Sequence, residues 1–149
     1  MKQQTIWILI ADAATAHVVA SSGKAGDLTP VDDIRLEGNP APGRDLAADR
    51  AGRAFDRAGD GRHGMEPSTD PRAVEQERFA REIVAVLDEA AQRGCYDNLV
   101  LVAPPKFMGL LRDRLPAGVA SKVSAELTKG LTELSIHELP HHLAPVLNA

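Results

Sequence analysis

The chain has 149 residues, a formal net charge of −4, 44% hydrophobic residues and only 3% aromatic residues. This length and apolar fraction fit a single globular domain, residues 1–149. The negative charge disfavours binding of double-stranded nucleic acid through bulk electrostatics, which needs clustered Lys and Arg. The scarcity of aromatic rings disfavours a stacking platform for single-stranded bases.

The first third of the chain predicts three strands of an antiparallel meander. Residues 5–11 form a continuous apolar run rich in β-branched residues, which is typical of a strand buried on both faces. This run is too short to span a membrane, and no small-residue cleavage site follows it. Residues 16–21 and 28–36 predict a second strand and a third strand at an edge. We therefore expect no membrane association and a cytoplasmic location.

Residues 38–71 form a long polar loop in which arginines alternate with acids. The arginines are Arg44, Arg50, Arg53, Arg57 and Arg62, and the acids are Asp45, Asp49, Asp56, Asp60, Glu66 and Asp70. Connections in compact domains usually have about 4–6 residues, so this length favours a binding loop, a lid or a disordered tether. The alternative is a solvated loop whose charges pair with one another.

Residues 61–67 hold the most unusual combination within this loop. His63 and Glu66 could be ligands or an acid–base pair. Arg62, among glycines, could bind a phosphate or carboxylate, and Arg57 is a further candidate binding residue. The alternative is a loop that folds onto the domain with Met65 tucked against it.

A long amphipathic helix is predicted over residues 71–93. Asp70 suits the N-cap, Pro71 suits the first helical position, and Gly94 ends the helix. Its apolar stripe consists of Phe79, Ile83, Val86, Leu87 and Ala90.

The remainder alternates between strands and helices. Residues 99–103 predict a buried strand, and a helical pattern follows Pro104-Pro105. Residues 121–128 predict a fifth strand, with the apolar positions Val123, Ala125 and Leu127 on one face. A capping box at residues 135–138 opens a short terminal helix, which Pro140 keeps short or bent.

The predicted order is β-β-β-α-β-α-β-α. A buried strand between two helices indicates a parallel β-α unit. A three-stranded meander joined to such units is the topology of ribonuclease-H-like domains. We therefore expect an α/β fold with a mixed five-stranded sheet and helices on its faces.

Asp12 and Lys106 are candidate binding residues outside the loop. Asp12 follows the first strand, where ribonuclease-H-like nucleases hold a divalent metal with several oxygen ligands. The 99–103 strand ends without an acid, so we predict no metal site, and Asp12 is alternatively a turn cap. Lys106 lies at the start of a helix, beyond the carboxyl end of a parallel strand, which is a position where anions bind. The alternative is that Lys106 is a solvated surface residue.

The other chemically notable residues predict no site. The single cysteine, Cys95, excludes an internal disulfide and is expected to be a small packed residue. His141 and His142 lack a third metal ligand. No nucleophile elbow, phosphate-binding glycine loop or dinucleotide fingerprint occurs, so we predict no catalytic residue and no cofactor.

Four motifs resemble the bacterial host-attachment proteins, which are named as required for attachment to host cells. They are Trp7-Ile8-Leu9-Ile10-Ala11-Asp12, then Gly61-Arg62-His63 with Met65-Glu66-Pro67, then Glu77-Arg78-Phe79-Ala80-Arg81, and finally Leu101-Val102-Ala103-Pro104-Pro105-Lys106-Phe107. The resemblance covers nearly the whole chain. The family name implies a phenotype and no established reaction.

That family also looks like a distant relative of the middle domain of archaeal and eukaryotic peptide-chain release factors and of Pelota. In release factors a Gly-Gly-Gln loop before a long helix triggers peptidyl-tRNA hydrolysis. The 38–71 loop occupies the equivalent place in the order of elements but contains no Gly-Gly-Gln. The dipeptides most similar to that motif are Gly59-Asp60 and Gly61-Arg62. No catalytic residue is therefore carried over.

We interpret the chain as a non-catalytic binding module that presents the 38–71 loop to a macromolecular partner, with the ribosome or RNA as the candidate. The alternative is a hydrolase acting on RNA or a phosphate ester through Arg62, His63 and Glu66. A third hypothesis, direct action at the host surface, is disfavoured because the sequence lacks an export signal and disulfides. The oligomeric state is left open.

Overall fold

The structure is a computed structural model that describes residues 4–22, 28–38 and 70–147. The strands are β1 (Ile6–Ala11), β2 (Thr15–Ser21), β3 (Leu28–Glu37), β4 (Asn98–Val102) and β5 (Val123–Leu127). The helices are α1 (Pro71–Gln92), α2 (Pro105–Arg112), α3 (Ala117–Ala120) and α4 (Leu139–Leu147).

The strands form one mixed sheet in the order β3-β2-β1-β4-β5. The first three are antiparallel neighbours, whereas β1 pairs with β4, and β4 with β5, in parallel. This is the strand order of ribonuclease-H-like domains, and it confirms the predicted α/β fold. Because β1 is central and covered on both faces, its apolar run is continuous rather than alternating.

Each face of the sheet carries its own hydrophobic cluster. On the α1 face, strand residues such as Trp7, Leu9 and Leu101 pack against α1, α2 and α3. On the α4 face, Ile8 and Ile10 pack against α4. The period of two along β1 therefore assigns its odd and even residues to different layers.

Helix α1 begins and ends as local chemistry predicts. The Asp70 Oδ1 accepts a hydrogen bond from the Arg72 amide at 3.0 Å. Gly94 follows the last turn with a φ of 73°, a left-handed conformation that glycine adopts without a Cβ clash. Its amide donates to Ala91 O at 3.1 Å and the Cys95 amide donates to Ala90 O at 3.0 Å, which completes a Schellman motif.

The buried stripe of α1 differs from the predicted one at three positions, because Ala80 and Val84 are buried and Val86 is not. The fully buried residues are Phe79, Ala80, Ile83, Val84, Leu87 and Ala90. Val86 is only half-buried, because it faces a groove beside β3 rather than the core.

The face assignment predicted for β5 is wrong. Leu99 pairs with Val123 but Val100 pairs with Ala125, so the register shifts by one residue between them. Val123 therefore packs on the α1 face, whereas Ala125 and Leu127 pack on the α4 face. An extra residue in a strand has this effect because side chains alternate with a period of two.

The C-terminal helix starts later than its capping box. The Ser135 amide donates to Glu138 Oε1 at 2.9 Å, and α4 begins one residue further on, at Leu139. Pro140 lies in its first turn, where no intrahelical amide bond is needed. Pro145 lies inside the helix, which has nine residues and is short, as predicted.

The ends of several elements meet at one edge of the sheet, which we call the carboxyl edge because β1 and β4 both end there. The end of β3 joins them, since the Gly38 amide donates to Ala14 O at 2.9 Å. A Cβ on Gly38 would lie 3.3 Å from the Phe79 ring, so α1 passes directly beside it. At 1.5 Å per residue, the first turns of α1 extend roughly 13 Å N-terminal to Phe79.

Candidate functional site

Asp12 is held in place at the carboxyl edge by three hydrogen bonds. Its Oδ1 accepts from the Ala14 amide at 2.8 Å and the Thr15 amide at 2.9 Å. Its Oδ2 accepts from the Thr132 hydroxyl at 2.7 Å. These contacts are those of a turn cap that also fastens the C-terminal segment to the end of β1.

His17 is a titratable group on the α4 face, two residues beyond the turn that Asp12 caps. Burial lowers its pKa below the ordinary value of 6.5, and the positive charge of Arg35 lowers it further, against the opposing effect of the Asp12 carboxylate. The imidazole is therefore neutral at pH 7, with one nitrogen donating and the other accepting.

Lys106 is an exposed residue in the first turn of α2, directly after β4. The N-cap, Pro104, makes no side-chain hydrogen bond to the helix. In the parts of the chain that the structure describes, no ion pair involves Lys106. Lys106 thus lies at the same edge as Asp12, with its ammonium group directed at no described carboxylate.

The other predicted site residues are Arg57, Arg62, His63 and Glu66, and they lie outside the described residues. The described chain stops at Gly38 and resumes at Asp70. The hydrolase alternative and the proposed pairing of charges within the 38–71 loop therefore stay predictions.

The described residues offer few other reactive groups. Within residues 4–22, 28–38 and 70–147, no three His, Cys, Asp or Glu side chains converge in a way that could hold a metal ion.

No described helix has an apolar stretch long enough to cross a membrane. Cys95 is exposed, so its expected packing is wrong; it directly follows Gly94, whose φ is 73°.

Two residues of this region, Thr132 and His17, are not among the predicted site residues. Thr132 lies 120 positions from its partner Asp12, so no local pattern could reveal it. His17 did have a sequence signal, because it lies between the apolar Ala16 and Val18 of β2 and must face the opposite layer.

Comparison with known proteins identifies the family. Residues 7–143 match the family described as "Protein required for attachment to host cells". The chain belongs to this family. The host-attachment chain is 29% identical over 74 residues to "Uncharacterized protein RP470" of Rickettsia prowazekii (strain Madrid E), and this match covers 48% of the chain and 49% of that relative.

Among solved structures, the host-attachment chain is similar to the archaeal translation termination factor aRF1. The similarity has a TM-score of 0.48 and 10% identity, and it covers 97% of the chain. It covers 39% of the termination factor, so the match spans less than half of that protein, as it does of the Rickettsia relative.

Proposed function

We propose that this host-attachment protein is a binding module without a catalytic centre, which presents residues 39–69 to the RNA of the ribosome. One observation carries the proposal: Gly38 and helix α1, the elements on either side of this segment, meet at the carboxyl edge. Gly38 is fixed by the bond from its amide to Ala14 O at 2.9 Å. Asp70 caps α1, and the Phe79 ring of α1 lies against Gly38.

The balanced charge of the segment favours a partner that is recognised through local contacts rather than through long-range electrostatic attraction. Residues 39–69 contain five arginines and five acids, so their formal charges cancel. Arginine binds phosphate groups through paired, charge-assisted hydrogen bonds, whereas neighbouring acids oppose non-specific binding to any polyanion. A ribosomal partner also implies a cytoplasmic location and an indirect route from translation to host attachment.

The proposal is tested by co-sedimentation of the purified full-length protein with ribosomes at low and at physiological salt. We compare a segment variant, Arg53→Gln, Arg57→Gln and Arg62→Gln, with a matched control variant. The control removes two exposed arginines from α1 and the exposed arginine at its C-cap: Arg72→Gln, Arg81→Gln and Arg93→Gln.

We expect the segment variant to weaken ribosome binding about tenfold or more, because each lost phosphate contact lowers affinity and salt dependence. The control is expected to bind within about twofold of the native chain, since binding does not use its residues. Absence of the native protein from every ribosomal fraction, or equal losses in both variants, would overturn the proposal.

A further inference from the structure

A cavity of about 250 Å³ lies on the α4 face, between β2, β3 and the segment that precedes α4. Its polar wall contains His17 and Arg35 together with the hydroxyl groups of Thr15, Thr132 and Ser135. Its floor is apolar and includes Leu139, which is 1% exposed. The Thr132 hydroxyl donates to Asp12 and the Thr15 hydroxyl to Leu36 O. The cavity thus combines a guanidinium group, an imidazole and the Ser135 hydroxyl with a small hydrophobic surface.

An irregularity in β3 helps to build this wall. His17 pairs with Arg35, but Val19, two residues further along β2, pairs with Pro30, so β3 contains extra residues between the two pairs. Bulges of this kind redirect side chains and are frequent beside binding sites. Arg35 and Pro30 are thereby both brought to the rim of the cavity.

The charges around the cavity favour a negatively charged guest. Arg35 forms no ion pair within the described residues, so its guanidinium group has paired donors to offer. The Asp12 carboxylate acts on His17 in the opposite direction to Arg35, and it is engaged by two amides and by Thr132. The remaining lining residues are uncharged.

We propose that this cavity binds a small organic anion, a carboxylate or a phosphate monoester, with its charged group between Arg35 and His17 and its short apolar body against Leu139. The volume sets the size of the guest, because drug-sized ligands usually occupy about 300–1,000 Å³. The site differs in place and in ligand class from the ribosomal contact proposed for residues 39–69, so either proposal can fail alone.

The test is a titration of the full chain followed by amide NMR, with isobutyrate and methyl phosphate as the two anionic probes. Isobutyramide is the neutral isostere of the carboxylate. We expect one or both anions to give saturable shifts at Thr15, His17 and Thr132, and the amide to give none. Absence of saturation for both anions, or equal binding of the neutral amide, would overturn the proposal.

Two variants separate specific binding from an effect of ionic strength. Arg35→Gln removes the proposed anion contact from an exposed position, and Arg81→Gln removes an exposed arginine from α1, behind the opposite face. We expect Arg35→Gln to weaken binding about tenfold or more, as for loss of a charge-assisted hydrogen bond, and Arg81→Gln to have no effect. Equal effects of the two variants would contradict the site.

The pH dependence gives an independent readout. The charged groups facing His17 are Arg35 on β3 and Asp12 after β1, whereas the lining residues before α4 carry no titratable group. A bound anion stabilises the imidazolium form, so affinity should rise as the pH falls from about 8 to about 5.5. Calorimetry with isobutyrate should show proton uptake on binding, and His17→Gln should abolish that uptake while the protein stays folded. Methyl phosphate does not serve for this measurement, because its own second pKa is about 6. Binding without proton uptake would place the anion away from His17.

Discussion

Asp12 connects three parts of the chain at the residue scale. Its carboxylate accepts bonds from the Ala14 and Thr15 amides and from the Thr132 hydroxyl, so it fixes the turn into β2 and the segment before α4. The position after the first strand of this fold suggests metal chemistry, yet the contacts are structural. Removing the carboxylate should therefore affect stability.

We expect Asp12→Ala to lower the free energy of unfolding by about 1–3 kcal/mol, because the partly buried Thr15 amide and Thr132 hydroxyl lose their acceptor. Asp12→Asn should cost less, since its amide oxygen can still accept from the turn. Urea denaturation followed by circular dichroism measures both. Asp113→Ala, at an exposed position, is the control and should change stability by less than about 0.5 kcal/mol. If Asp12→Ala left the free energy of unfolding unchanged, these hydrogen bonds would contribute nothing to stability.

The lowered pKa of His17 makes stability depend on pH. Because the folded pKa lies below the unfolded value of 6.5, the unfolded chain binds the proton more readily. The stability that the neutral His17 contributes to the folded state is fully present above about pH 6.5. It is lost as the pH falls towards the pKa of His17 in the folded protein. In His17→Gln, the free energy of unfolding should fall less between about pH 7.5 and about pH 5.5 than in the native chain. Parallel pH profiles for the two proteins would contradict the inferred shift.

Helix α1 shows, at the element scale, how much local sequence determines. Asp70, Pro71 and Gly94 mark its ends through chemistry confined to one turn, and its stripe follows from a period of 3.6. Ala80 and Val84 are buried outside the predicted stripe, on a helix that also contacts α2 and α3. Periodicity predicts the centre of a stripe better than its borders.

Ile83→Ala should lower the free energy of unfolding by about 2–5 kcal/mol, because it leaves a cavity in the core of the α1 face. Ile83 is 1% exposed. Val74→Ala is the control on the same helix, since Val74 is 51% exposed and should change stability by less than about 0.5 kcal/mol. Chemical denaturation distinguishes them, and similar small losses would mean that Ile83 is not core.

Gly94 and Gly109 should respond in opposite directions to replacement by alanine. A Cβ at either position meets nothing within 4 Å, so only the backbone decides. Gly94 has a φ of 73°, and Gly94→Ala should destabilise by about 1–2 kcal/mol. Gly109 lies inside α2, and Gly109→Ala should stabilise by about 0.5–1 kcal/mol. Thermal unfolding measures the direction of the stability change for both variants. A stabilising Gly94→Ala would contradict the Schellman assignment.

At the scale of the whole molecule, the sequence predicts the layers better than it predicts the sites between them. Apart from the four-residue helix α3, which was not predicted, the order of strands and helices and the two faces of β1 follow from composition and periodicity. The Asp12–Thr132 bond and the cavity beside Arg35 depend on segments that meet only after folding. The shift of register in β5 was also missed, because no glycine or proline marks the extra residue of the strand.

Residues 39–69 should be dispensable for folding of the rest of the chain. The described strands and helices already pair and pack around two clusters, so the chain should fold when this segment is replaced by a Gly/Ser linker. About eight residues suffice, because an extended chain spans about 3.3–3.6 Å per residue. We expect one cooperative unfolding transition, with a change of about 1 kcal/mol from the shorter connection.

The same trimmed chain tests what the segment does. In bacteria that lack the native copy, it should fail to restore attachment to host cells, whereas the native chain and the Arg72→Gln, Arg81→Gln, Arg93→Gln variant should restore it. Circular dichroism and the unfolding transition show whether failure comes from loss of fold. A folded trimmed chain that restores attachment in full would mean that the working surface lies on the sheet and its helices, with Asp12 and Lys106, rather than on the arginine-rich segment.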